Sequence, residues 1–324
     1  MTGGDDPASR ILEGVVPRWE FRVFGTQVDG FDALVDGITP ERVASSHEQY
    51  FLSVHTNASV KVRDGAMDVK ERLSVDDHGL ELWAPTLEAE FPVTASAVAT
   101  VFQTLGAGVP GDLSDEYSID ALVELIGIHD DLMIVGVEKH RRHFEIDGCM
   151  AESTAFSVDG SQTRSITLES SDPRLVVRTR RRIGLDRWPN LSVARGLKAL
   201  LEFGSSLVAF IEVGTSSVTF HLEEHTSDGA ASTLVDRTDA TRPDEQADDG
   251  VIDATAIART VDSIVAMVTE ARALGPATIV AVGTAGLRQA PNGADLVDQV
   301  RCEVGIDVDF FSGPDEVRPA RRCW

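Results

Sequence analysis

The sequence predicts an α+β protein in two domains: an antiparallel β-barrel over residues 18–204 and a partial α/β lobe over residues 205–324, behind a disordered start at 1–17. Three observations predict it. Strand-forming runs joined by short turns fill the first half. After Gly204 the pattern changes to a hairpin, a long amphipathic helix and a buried-type strand. Finally, 324 residues suffice for two cores of ordinary size.

In chain order, the runs "RWEFRVFG", "QYFLSV", "ASVKVRDG", "MDVKERLSV", "GLELWAP", "LMIVGVEKHRRHFEID", "CMAESTAFSV" and "TRSITLES" read as strands. Arg63-Asp64-Gly65 and Asp159-Gly160 supply hairpin turns. "PVTASAVATVFQTLG" and "SIDALVELIG" interrupt the strands with helical spacing, and "DPRLVVRTRRRIGL" and "SVARGLKALLEFG" close the half as helices. In the second half, "FIEVGTSSVTFHL" (210–222) reads as a hairpin and "STLVDRT" as a third strand, followed by a flexible acidic loop, "DATRPDEQADDG". Ile257, Val261, Ile264, Val265 and Val268 then recur at helical spacing. "ATIVAVG" completes a step toward a parallel strand, and helix "GADLVDQVRCEVG" leads to strand "IDVDFF".

Charge narrows the partners. With 53 acidic against 29 basic residues the net charge is −24, which argues against nucleic acid as a partner of the whole surface. No apolar run is long enough to span a bilayer, so no membrane partner is expected. "MTGGDDPASR" lacks an apolar signal core, and Cys149, Cys302 and Cys323 are odd in number and far apart, so a cytoplasmic location without disulfides is expected.

In the second half, Gly214, Thr215, Ser216 and Ser217 offer a backbone and hydroxyls that can receive an anion. "VGTAGLRQAPN" (282–292) and "SGPDEV" (312–317) follow at two further strand ends, where loops of α/β sheets carry ligands. "IEVGTSSV", the arginines Arg237 and Arg242, "GTAGLRQAPN" and "SGPDE" together resemble the first lobe of the exopolyphosphatase and guanosine pentaphosphate phosphohydrolase family. The resemblance implies an actin-like (RNase H-like) lobe and hydrolysis of phosphoanhydrides in polyphosphate or guanosine pentaphosphate. By it, Gly214 to Ser217 form a phosphate loop, Arg288 binds the phosphate chain and Glu316 is the catalytic base. Glu212 stands where the family places a metal-associated aspartate, and Ser216 where it places asparagine. A second lobe is expected after "SGPDE", whereas this chain reads Pro314, Val317 and Pro319 and ends at Trp324. A truncated or frameshifted gene with impaired activity, and a possible homodimer, are therefore expected.

In the first half, Lys61 and Arg63 alternate with Val60 and Val62, and Lys70, Lys139 and Arg141 repeat the spacing. Pointing inward in a closed barrel, they would build a cationic tunnel for a linear phosphate chain, with Glu152 and Glu169 available for Mg²⁺. "PRWEFRVFG", "VKVRDGAMDVK", "GLELWAP", "GCMAE" and "RGLKALL" resemble the CYTH, or triphosphate-tunnel, family. Its opening motif, Glu-x-Glu-x-Lys, is Glu20, Arg22 and Phe24 here, so Glu20 is the remaining metal ligand and binding without cleavage is expected of this half. A polyphosphate- or triphosphate-binding protein without turnover is the alternative for the whole chain. A sugar-kinase-like phosphotransferase ranks last, because its adenosine site would lie outside this sequence.

Overall fold

A computed structural model describes residues 11–25, 29–186, 188–226, 230–242, 250–273 and 277–310 and divides the chain into two units, Met1–Ser205 and Ser206–Trp324. The first unit begins with strand β1 (Arg18–Phe24), helix α1 (Asp29–Val35) and strands β2 (Arg42–Ser53), β3 (Ser59–Arg63), β4 (Ala66–Val75) and β5 (Glu81–Glu90). The short strands β6 (Val93–Thr94) and β7 (Glu116–Tyr117) flank helix α2 (Ala95–Thr104), and helix α3 (Ile119–Gly127) follows. Strands β8 (Leu132–Ile146), β9 (Cys149–Val158) and β10 (Ser161–Ser170) and helices α4 (Pro173–Arg182) and α5 (Val193–Leu200) complete the unit.

Eight strands close into a barrel in the order β1-β10-β9-β8-β2-β3-β4-β5. Every pairing around it is antiparallel. Closure by hairpins depends on turns that accept positive φ, and three Asp-Gly pairs supply them: Asp64-Gly65, Asp147-Gly148 and Asp159-Gly160. Thr94, Ser118, Asp172 and Ser192 cap α2, α3, α4 and α5, each side chain accepting from an N–H of the first turn.

The barrel inverts the usual inside-outside pattern. Phe21 and Val23 of β1 join Phe144, Ile166 and Leu168 in an apolar layer shared with Phe31 of α1 and Val176 of α4. Val60, Val62, Met67 and Val69 join Phe51 in a second layer with Val98, Val101 and Phe102 of α2 and Leu122 and Ile126 of α3. With the apolar side of each strand turned to the helices, the alternate side is left for the bore. The same inversion explains β2, which starts at Arg42, well before "QYFLSV". Its earlier residues include Ser46 and Glu48 on the polar side, so apolar patterning does not mark them. Helix α1 and the pair β6–β7 are likewise absent from the sequence expectations; α1 is held by Phe31, whose ring meets Phe144 edge-on at 5.8 Å.

The second unit contains strands β11 (Ser205–Val213), β12 (Val218–Thr226) and β13 (Ala231–Asp239), helix α6 (Ala254–Ala273), strand β14 (Ala277–Gly283), helices α7 (Ala285–Gln289) and α8 (Gly293–Val304), and strand β15 (Val308–Phe310). Its sheet runs β13-β12-β11-β14-β15, with β11, β14 and β15 mutually parallel and β12–β13 antiparallel. The α6 stripe is as its spacing requires: Ile257, Val261, Ile264 and Val268 are buried and Val265 half-buried. Among the described residues, no helix is long and apolar enough to cross a membrane.

Candidate functional site

The bore of the barrel holds a cavity of about 140 Å³. Strand periodicity sends Glu20 and Arg22 of β1 into it; Ser59, Lys61 and Arg63 enter from β3, and Lys70 from β4. Lys139 and Arg141 enter from β8, Glu152 from β9 and Glu169 from β10. Tyr50, Trp83, Ser192 and Val193 complete the lining. Register explains the grouping: Glu20 lies opposite Glu169, Thr167 beside it opposite Glu152, and Tyr50 opposite Lys61. Carboxylates thus collect on β1, β10 and β9, and ammonium and guanidinium groups on β3, β4 and β8.

Glu48 is the keystone of the cationic side. Its side chain is 0% exposed and pairs with Lys139 at 3.1 Å and Lys61 at 3.4 Å, and Arg141 donates to it as well. Tyr50 Oη donates to Glu48 at 3.0 Å while accepting from Lys139 Nζ at 2.6 Å. Burial alone would raise the Glu48 carboxyl, but Lys139, Lys61 and Arg141 more than reverse this and hold it well below the usual carboxylate range. Lys139 feels the converse: burial first, then the neighbouring Lys61, push its ammonium well below the ordinary lysine value. Burial lowers Lys61 too. Asp68 lies 3.5 Å from Lys61 and 3.6 Å from Arg63. These cations are therefore held in place by buried anions, ready for a ligand that reaches them from the cavity.

Arg22 belongs to the acidic side. Its Nε donates to Glu20 at 3.0 Å and Nη1 to Ser165 Oγ at 3.1 Å, and its backbone N–H donates to Asn190 Oδ1 at 2.7 Å. Burial opposes its charge, but Glu20, Glu152 and Glu169 outweigh burial and raise its pKa. Burial and then Glu20 push Glu169 up to about 7, so this carboxyl shares its surroundings as a weak acid rather than a strong anion. Glu152 accepts from Thr154 Oγ1 at 2.5 Å and lies 3.5 Å from His143 Nδ1. A guanidinium amid these three carboxylates does not suit a divalent ion, whose ligands must turn their oxygens to one point. Among the described residues, no group of three or more His, Cys, Asp or Glu side chains is arranged to hold a metal.

All eight barrel residues named from the sequence, Glu20, Lys61, Arg63, Lys70, Lys139, Arg141, Glu152 and Glu169, line this one cavity. Glu48, Tyr50, Trp83 and Ser192 were missed, and Arg22 was noted only as a lost ligand. Glu48 and Tyr50 carry a sequence signal, the i, i+2 spacing with Ser46, but apolar patterning starts the strand at Gln49 and leaves Ser46 and Glu48 outside it.

In the second unit the Gly214–Ser217 turn joins β11 to β12, with Gly214 N–H donating to Ser217 O at 2.8 Å. Thr215 and Ser216 are exposed, and Arg242 N–H donates to Ser216 O at 2.9 Å. Thr284 N–H donates to Val213 O at 3.0 Å, bringing the "GTAGLR" loop beside the hairpin. Gly286 makes that approach possible: a Cβ there would stand 2.2 Å from Thr215 Cγ2. Two of the three expected loops therefore meet. Arg288 is exposed on α7, and Glu212 is exposed on β11 opposite Val282. Arg237 is occupied structurally, donating to Glu270 at 2.6 Å. Glu316 and the rest of "SGPDEV" lie outside the described residues.

No curated protein matches the chain. A crystal structure of an Aquifex aeolicus Ppx/GppA family member is 23% identical with a TM-score of 0.33, covering 35% of this chain and 36% of that one. An exopolyphosphatase from Cytophaga hutchinsonii is 24% identical with a TM-score of 0.33, covering 34% and 36%. This chain thus spans 36% of the length of each. A Bacillus halodurans protein described as a candidate adenylate cyclase is 11% identical with a TM-score of 0.33, covering 55% of this chain and 97% of that one. The family model for the Ppx/GppA phosphatase family matches residues 225–322, so it is in its second unit, after the closed eight-stranded barrel, that this chain is similar to that family.

Proposed function

We propose that the chain acts on condensed phosphates, with residues 18–204 as a tunnel domain that captures the ligand and residues 205–324 as a phosphohydrolase lobe of exopolyphosphatase type. The observation that carries the reading is the convergence of Lys61, Arg63, Lys70, Lys139 and Arg141 on one cavity. Phosphate oxygens spaced along a chain match several fixed N–H donors better than one compact anion would. Buried Glu48 and Asp68 keep Lys61, Arg63, Lys139 and Arg141 positioned, which spares the ligand the entropy of ordering them. In the lobe, the Gly214–Ser217 turn and Arg288 would hold phosphoryl oxygens, and Glu316 would orient the attacking water. Mg²⁺, expected for phosphoryl transfer by such a lobe, would neutralise charge on the phosphates. Inorganic polyphosphate is the preferred substrate in this reading, with guanosine pentaphosphate as the other member of the class.

The test is phosphate release from long-chain polyphosphate by the full chain with Mg²⁺, beside tripolyphosphate titration by calorimetry. Release that falls at least about 100-fold in both Arg288→Ala and Glu316→Gln supports the hydrolase. Binding without release supports the second reading, a condensed-phosphate-binding protein without turnover, which the guanidinium among the barrel carboxylates favours. Absence of both binding and release removes the condensed-phosphate reading.

A further inference from the structure

The acidic side of the barrel cavity has an unusual composition for a wall that faces a polyanion. The carboxylates Glu20 and Glu152, with the weakly acidic Glu169 beside them, would repel phosphate unless a cation stood among them. Arg22 is that cation. It comes from the same strand as Glu20, two residues along and so on the same face, and its side chain is 8% exposed. Three hydrogen bonds fix it, from the guanidinium to Glu20 and Ser165 and from the backbone N–H to Asn190, and Glu152 and Glu169 line the same cavity. None of these depends on a ligand, so the charge is in place before anything binds.

We propose that Arg22 is the resident counter-cation of the carboxylate wall, and that the barrel therefore binds its condensed-phosphate ligand without a divalent metal ion. The inference rests on the reading of the barrel as a condensed-phosphate site, and it adds how that site balances its charge. A divalent ion entering the wall would meet the guanidinium and would have to displace it to gain Glu20 as a ligand. The guanidinium, by contrast, faces the same cavity as Lys61, Arg63, Lys70, Lys139 and Arg141, which gives the ligand donors on both walls. Because Arg22 replaces an ion that could polarise a phosphoanhydride, this arrangement retains the ligand rather than cleaving it.

Calorimetry of the full chain with tripolyphosphate, in EDTA and in Mg²⁺, decides the matter. The expected result is binding in EDTA at least as tight as in Mg²⁺. Binding in Mg²⁺ that weakens by about tenfold or more in EDTA, the loss of one strong charge-assisted contact, overturns the inference and leaves the phosphate reading standing. Binding in neither condition overturns both. Arg22→Lys is expected to keep most of the EDTA affinity and Arg22→Met to lose about tenfold; equal affinities in wild type and a folded Arg22→Met overturn the inference. Should Arg22→Met not fold, Mn²⁺ titration followed by electron paramagnetic resonance supplies the second readout. Arg22→Glu is expected to take up one more Mn²⁺ than wild type, and equal uptake by the two chains counts against Arg22 as the group that fills the metal's place.

Discussion

A single carboxylate, Glu48, sets the electrostatics of the cationic wall. Three cations and a tyrosine hydroxyl converge on it inside the barrel. Removing its charge leaves Lys61, Lys139 and Arg141 buried together, so Glu48→Gln is expected to cost about 3 kcal/mol, read from urea unfolding. The acid dependence follows from the direction of its shift. The folded pKa lies below the unfolded one, about 4.3, so the stabilisation is complete above that value and is lost as pH falls below it toward the folded pKa. The urea midpoint of the wild type should drop between pH of about 5 and about 3, and that of Glu48→Gln should drop less. An equal drop in both chains would show that other carboxylates carry the acid limb.

At the scale of elements, α5 is the helix whose first residues complete the cavity lining. Ser192 caps it and, with Val193, reaches the cavity, and Lys198 Nζ donates to Ser53 O at 3.0 Å and Thr56 O at 3.2 Å. Between these anchors Gly196 lies against Phe24, where a Cβ would stand 2.3 Å from the ring. The ring is itself fixed, 2% exposed and 5.5 Å from that of Phe156. Gly196→Ala is therefore expected to destabilise the first unit by about 1–3 kcal/mol, by the overpacking penalty, and to lower tripolyphosphate affinity because a shift of α5 carries Ser192 and Val193 of the cavity lining with it. Thermal unfolding and calorimetry check the two effects; an unchanged melting temperature would mean that α5 moves without strain.

For the whole molecule, the two units carry separate sheets, and the eight-stranded barrel closes entirely within the first. Both apolar layers around the barrel, one with α1 and α4 and one with α2 and α3, also belong to that unit. Residues 1–205 alone should therefore fold cooperatively and bind tripolyphosphate with an affinity within about twofold of the full chain, since additivity holds for independent parts. Circular dichroism on heating and calorimetry measure this. A chain of 1–205 that folds but does not bind would place the ligand-holding groups elsewhere.

What the sequence determined by itself is local. Turn pairs such as Asp64-Gly65 and Asp159-Gly160, caps such as Asp172, the α6 stripe, and the alternation of Lys61 and Arg63 with valines are all consequences of neighbours a few residues apart. The two loops around Thr215 and Gly286 were legible as turns at strand ends, since glycine and hydroxyl residues are ordinary turn formers, whereas their meeting is seen only in the structure. Only the tertiary structure decided which charges meet. Alternation tells which face a residue takes, but the partner across a barrel is set by closure and register, which bring Glu48 to Lys139 over 91 positions and Arg22 to Ser165 over 143. The same physics hid Glu48 and the first half of β2: where the bore is polar, a strand's inward residues look like those of a loop, and their i, i+2 spacing gains its meaning only once the barrel closes.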